Sequence, residues 1–309
     1  MITGRYIDPK TDFGFKRLFA QEDSKDILKQ FLFDVLKLTH PIAELTYIPN
    51  EQLPQGADER IGVYDVYCTD LLGQRFVVEM QRANQTFIRD RVLYYSTFPI
   101  ITLPIIHQAQ KGATWSFELI PIYCIAILNF AIDDGKEYLR RVQLMDVKAK
   151  SIFYDKLTYV YIELPNFGKE PGELTEAVDK WVYLLKYMPE LQDIPAELAN
   201  EPFTHAFEIA ESAALSPQER ILYEASLKSA RDAYAEITTA RQKGWEEGME
   251  KGKEEGREEG IEEGRRQQAE AIARSLLELG LDMALITQTT GLSEKQVKQL
   301  IATSNLGKN

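Results

Sequence analysis

Asp65, Glu79 and Gln81 have the types and spacing to hold a cation and orient a water molecule. They fall in IGVYDVYCT (61–69) and QRFVVEMQ (74–81), two runs rich in β-branched and aromatic residues that read as strands. Asp70 and Gln74 then flank a tight loop, Leu71-Leu72-Gly73, with Gly73 where a positive φ is needed. In that register Asp65 lies directly opposite Glu79, and strand alternation puts Gln81 on the same face. A bulge beside Gly73 would shift the pairing by one residue. Two facing carboxylates repel and destabilise a hairpin. A divalent cation reverses that sign: Mg²⁺ takes one or two protein carboxylates and fills its other positions with water and substrate phosphate. Such an ion activates its bound water and neutralises charge on a scissile phosphate. The competing reading is a pair of carboxylates facing solvent from an open sheet, and spacing alone leaves both open.

The elements that must position this hairpin are mixed. Ser24 reads as the cap of a helix whose apolar positions Ile27, Leu28, Phe31, Leu32, Val35 and Leu36 recur at helical spacing. Residues 43–48 look extended, and 83–98 read as a helix with Phe87, Val92, Tyr95 and Phe98 inward. LIPIYCIAIL (119–128) and TYVYIEL (158–164) read as buried strands, and a helix carrying Leu174, Val178, Trp181 and Leu185 closes the domain.

The formal net charge of −12 at first argues against a nucleic-acid partner. Residues 1–130, however, carry 13 Lys+Arg against 15 Asp+Glu, and the rest of the chain carries 23 against 33. The region holding the carboxylates is nearly neutral, so whole-chain charge says little about it. The longest apolar stretch, Leu119 to Phe130, is far too short to span a bilayer, and MITGRYIDPK lacks a secretory signal pattern. Two lone cysteines, Cys68 and Cys124, fit a reducing compartment, so a cytoplasmic protein without a membrane partner is expected. His40, His107 and His205 share no ligand spacing, and no phosphate-cradling glycine loop or serine-nucleophile motif occurs in a strand–helix context.

From about residue 196 the pattern is helical. Glycine recurs at 244, 248, 252, 256, 260 and 264. Each costs a helix about 1 kcal/mol relative to alanine, and pairs such as Glu247–Lys251 and Glu262–Arg266 return only about 0.2–0.5 kcal/mol. A solvated linker or fraying helix is favoured over a close-packed glycine seam. Leu276, Leu277 and Leu279 precede a break at Gly280; Leu281, Leu285 and Ile286 follow it. Gly291 then reads as a turn, Ser293 as a cap with Gln296, and Val297 and Leu300 as inward. This is helix–turn–helix spacing, read chiefly as a packing or oligomerisation element and less as a major-groove reader. The expected divisions are a core domain over 1–195, a helical extension over 196–240, a charged glycine segment over 241–266 and a small helical tail over 267–309.

An acid, a hairpin and then Glu-x-Gln resembles the PD-(D/E)XK nuclease superfamily. DPKTDFGFKRLF (8–19), Asp65, VVEMQ (77–81), RDRVLYYSTF (89–98), YIELPNF (161–167), the charged glycine repeats and the terminal TGLSEKQVKQL more closely resemble the Rpn group of recombination-promoting nucleases, also described as PD-(D/E)XK family transposases. The resemblance implies an α/β (α+β) αβββαβ core with a helical C-terminal extension. It implies a metal-dependent endodeoxyribonuclease tied to recombination or mobile elements, with DNA as partner and Mg²⁺, or else Mn²⁺ or Ca²⁺, as cofactor. Asp65 and Glu79 would be metal ligands, joined by the Met80 carbonyl, and Gln81 would stand where the wider superfamily has Lys. Glutamine offers neutral hydrogen bonds where lysine offers charge. Asp12 would be an accessory acid or a helix cap. Arg89, Arg91, Tyr94 and Tyr95 would lie on a phosphate-facing helix, with Lys16 and Arg17 as weaker candidates, although surface and core roles fit these residues equally. The rival reading is a weakly active or inactive nuclease-fold scaffold that binds DNA or protein, with homo-oligomerisation through the C-terminal helices.

Overall fold

The computed structural model describes residues 4–48, 64–83, 86–111 and 118–305, without the side chains of 102–111 and 302–305. Residues 61–63 of the first expected hairpin strand, 84–85 of the expected helix and the His107 side chain lie outside the described residues.

Six strands form one mixed sheet: β1 (Leu45–Tyr47), β2 (Val66–Asp70), β3 (Arg75–Gln81), β4 (Ile122–Leu128), β5 (Leu139–Asp146) and β6 (Ser151–Glu163), in the order β1-β2-β3-β4-β6-β5. β3, β4 and β6 run parallel; β1, β2 and β5 join antiparallel at the flanks. One face packs against α1 (Asp12–Phe19), α2 (Lys25–Leu36), α4 (Ala177–Tyr187) and α5 (Phe203–Ala210), around fully buried Phe15, Phe19, Phe31, Phe76 and Trp181. The other face is covered by α3 (Ile88–Lys111), whose Ile88 and Val92 meet Val77, Cys124, Ala126 and Tyr161. Alternation decides the split: Phe76, Val78 and Met80 go to the first face and Val77 to the second.

Several local expectations change. The β5–β6 hairpin has no signature in the sequence, because most of the side chains of 139–157 remain in solvent and leave no burial pattern. α3 starts at Ile88 and runs to Lys111, and Phe87 is exposed, its inward place taken by Ile88. Ser24 precedes α2 but makes no capping bond; its Oγ donates to the Gln21 carbonyl instead.

The chain divides into two units, Met1–Tyr234 and Ala235–Asn309. α6 (Pro217–Glu278) is one continuous helix, so the glycine repeat is helical, and a Cβ at any of its six glycines would meet nothing within 4 Å. Its residues 241–266 are exposed throughout, as the solvated reading has it, and its glycines form no close-packed seam among the described residues. The anticipated ion pairs are replaced by Lys251–Glu255 and by Arg266 with Glu263 and Glu270. In the second unit the end of α6 packs with α7 (Met283–Thr290) and α8 (Glu294–Asn305) around Ala273, Ile286, Leu292, Val297 and Leu300. Gly280 and Gly291 take positive φ at its two breaks. Asp282 caps α7, and Ser293 and Gln296 exchange bonds at the head of α8. Leu279, Leu281 and Leu285 are exposed, contrary to their periodicity.

Candidate active site

The β2–β3 hairpin has the register that side-chain alternation requires. Val66 pairs with Val78 and Thr69 with Arg75, and Gly73 closes the loop at φ 81° with its N–H donating to the Asp70 carbonyl. One step beyond Val66, Asp65 meets Glu79. The Asp65 N–H donates to Glu79 Oε1 (3.1 Å), and Asp65 Oδ2 accepts from the Met80 N–H (2.7 Å). Gln81 Nε2 donates to Glu79 Oε2 (3.0 Å). Asp65, Glu79 and Gln81 therefore form one hydrogen-bonded group on the α3 side of the sheet.

Glu79 is 4% exposed, and neither it nor Asp65 has a lysine, arginine or histidine within ion-pair distance among the described residues. Burial, and secondly the Asp65 charge, push the Glu79 carboxyl up to about 8 against the opposing Asp65 N–H bond, Arg91 charge and Gln81 donor. Burial also raises Asp65, against the lowering effect of the Met80 N–H and Lys16. Buried Glu79 facing partly exposed Asp65, with no lysine, arginine or histidine within ion-pair distance among the described residues, is an arrangement that an external cation would stabilise. The donor set suits a hard divalent ion. Asp65 Oδ1 takes no hydrogen bond from the described residues, and the Met80 carbonyl faces the same side as its N–H, toward Asp65. No group of three or more His, Cys, Asp and Glu side chains that could hold a metal ion converges among the described residues.

The other candidates separate by direction. On α3, Arg91 stacks over Tyr95 (5.0 Å), and the charges of Arg91, Glu79 and Asp65 all act on the Tyr95 hydroxyl, so both residues border the carboxylates. Tyr64 fixes this edge by donating to the Tyr95 carbonyl (2.7 Å). Tyr94 is half exposed and turns to Phe98. Arg89 points elsewhere, to Asp133 (2.7 Å). On α1, Thr11 and not Asp12 is the cap: its Oγ1 accepts from the Gly14 N–H, and a Cβ at Gly14 would lie 2.1 Å from the Asp8 carbonyl oxygen. That turn explains the glycine of DFGF and carries Asp12, paired with Lys16 at 2.7 Å, into electrostatic reach of Asp65. Arg17 turns to Asp23.

Sequence reasoning gives no role to Glu163, Arg140 or Asp133. Glu163 is fully buried at the end of β6, on the same face and level as Gln81 two strands away, through Leu128. Its Oε2 accepts from the Ile132 N–H (2.9 Å) and Asn166 (3.2 Å), and Arg140 Nε stands 2.9 Å from Oε1. The only signal is YIELPNF itself, whose Glu163 and Asn166 are polar residues closing an apolar strand.

A central parallel trio of strands with antiparallel flanks, helices on both faces and paired acids at the end of a hairpin strand defines a PD-(D/E)XK-type α/β protein. The chain belongs to the PD-(D/E)XK nuclease family transposases, whose model matches residues 9–240. Residues 266–301 match the C-terminal helix-turn-helix domain of the Rpn/YhgA-like nuclease family. No curated protein and no solved structure matches the chain.

Proposed function

We propose that the protein is a divalent-metal-dependent DNA endonuclease, with Asp65, Glu79 and the Met80 carbonyl holding the ion. The observation that carries this reading is the hydrogen-bonded Asp65–Glu79 pair, with Glu79 buried and no lysine, arginine or histidine within ion-pair distance of either carboxylate among the described residues. A bound Mg²⁺, or Mn²⁺ or Ca²⁺ in its place, would supply positive charge against the scissile phosphate. Gln81, already oriented by Glu79, directs its amide toward the attacking water or a phosphate oxygen. Arg91, held over Tyr95 beside the carboxylates, offers forked donors to a phosphate. α7 and α8, with their tight turn at Gly291, supply a second DNA contact, consistent with the helix-turn-helix family match. Gln81 in the place of a lysine favours one alternative, a scaffold that binds DNA without cutting it.

Plasmid cleavage with Mg²⁺ tests the reading. Wild-type protein nicks or linearises the plasmid, and Asp65→Ala and Glu79→Ala each lower the rate at least about 100-fold, the scale of losing one strong electrostatic stabiliser. Equal cleavage by all three would sink the site. No cleavage by wild type across metals and DNA forms would favour the scaffold.

A further inference from the structure

A row of side chains crosses the sheet beneath α3. Glu79, Ala126, Tyr161 and Arg140 are register partners on successive strands, and Asp65 extends the row beyond Glu79. Arg140 stands three strands from Glu79, about 14 Å at the usual interstrand spacing. Asp133, in the loop after β4, bridges Arg140 to Arg89, two residues before Arg91 on α3. Arg140 Nη2 reaches Asp133 Oδ1 (2.6 Å), Arg140 Nη1 reaches Oδ2 (2.8 Å), Arg89 Nη2 reaches Oδ2 (2.7 Å), and the Gly135 N–H donates to Oδ1 (2.9 Å).

A guanidinium fork from Arg140 and a single guanidinium donor from Arg89 closing on one two-oxygen anion is a pattern that suits a phosphate. The Asp133 and Arg89 side chains are 39% and 64% exposed, so an incoming anion can reach the pair. Exposed ion pairs exchange partners at little energetic cost. Arg140 would stay in place through its second partner, fully buried Glu163. We propose that Arg89 and Arg140 form a phosphate subsite for the DNA strand flanking the cut, closed in the free protein by Asp133 standing in for the phosphate. The inference rests on the DNA-cleaving reading above and gives that site a length: the acidic end takes the scissile phosphate, the arginine end a phosphate a few nucleotides away. The Asp133 carboxyl, lowered to about 2 chiefly by the Arg140 bond, stays ionised at any working pH, so displacement requires competition by an anion and not protonation.

The test is fluorescence anisotropy of a labelled duplex with the full chain in Mg²⁺, in the Glu79→Gln background, over a salt series. Asp133→Asn retains an acceptor for the Gly135 N–H and removes the competing charge. It should tighten DNA binding and steepen the log K against log salt slope by about 0.9 for each further phosphate neutralised. Arg89→Ala, on the exposed start of α3, should weaken binding, flatten the slope and cancel the tightening from Asp133→Asn. Unchanged or weaker binding by Asp133→Asn, or an Arg89→Ala slope equal to the parent's, would overturn the subsite. Cleavage by the Glu79→Gln parent would contradict the catalytic reading instead, with the affinity comparison still deciding the subsite. Absence of binding by every variant would overturn both.

Discussion

Glu79 and Glu163 invite comparison. Both are buried glutamates at the ends of parallel strands on the same face of one sheet, 4% and 0% exposed. Glu163 is neutralised from within by Arg140 at 2.9 Å and by two N–H donors. Glu79 has a second carboxylate as its neighbour instead, with Gln81 and a backbone N–H as its donors. A fold that supplies an arginine at one strand end and, among the described residues, no ion-paired cation at the next leaves the second carboxylate for something from outside. Glu163 is part of the framework, and Glu79 is a site.

The comparison breaks if the two glutamates respond alike to removal. Glu163→Ala should cost about 1–3 kcal/mol, because it leaves the part-buried Ile132 N–H and Asn166 amide without their acceptor and Arg140 with Asp133 as its remaining carboxylate, and chemical denaturation would measure it. Glu79→Gln should be close to neutral without metal at neutral pH, since a neutral amide replaces a carboxyl that holds its proton up to about pH 8. Equal destabilisation would remove the distinction.

A smaller effect separates them in pH. The folded Glu79 carboxyl, raised to about 8 by burial and Asp65, keeps its proton where the unfolded chain, at the ordinary value of 4.5, has released it. The Glu79 contribution to metal-free stability is therefore full below about 4.5 and is lost as pH rises toward 8. Melting temperatures across that window should decline for wild type, decline less for Glu79→Gln, and level off for wild type when Mg²⁺ is present. A flat metal-free profile would contradict the buried, proton-holding Glu79.

Much of this contrast is legible in the sequence on one side only. Asp65, Glu79, Gln81 and Gly73 lie within one hairpin, where alternation and turn chemistry fix the register locally, so their common face follows from the spacing of the residues. Glu163, Arg140 and Asp133 come together through a parallel crossover from β4 to β6 and an antiparallel return through β5. No local periodicity encodes that meeting. β5 itself is invisible because its exposed positions carry no burial pattern, and Thr11 takes the cap from Asp12 through a turn that depends on the Asp8–Gly14 approach. The glycine repeat misleads in the other direction: helix propensity argues for fraying, yet α6 is continuous, with i,i+4 pairs on its surface.

The smallest predicted effect lies in that helix. Gly256→Ala adds a Cβ where nothing stands within 4 Å, so it should stabilise α6 locally by about 1 kcal/mol, read as slower amide exchange. Faster exchange would mean that the glycines meet a partner in solution. It also leaves Glu79 and Glu163 untouched, a control for both.

The central claim is that the Asp65–Glu79 pair takes its counter-charge from an external cation. Titration calorimetry of Mg²⁺ into the full chain at pH 7, in two buffers of different ionisation enthalpy, tests it most directly. With Glu79 near 8, the bound ion should displace close to one proton, seen as a buffer-dependent heat that disappears in Glu79→Gln. Binding without proton release, or binding unchanged in Glu79→Gln, would contradict it.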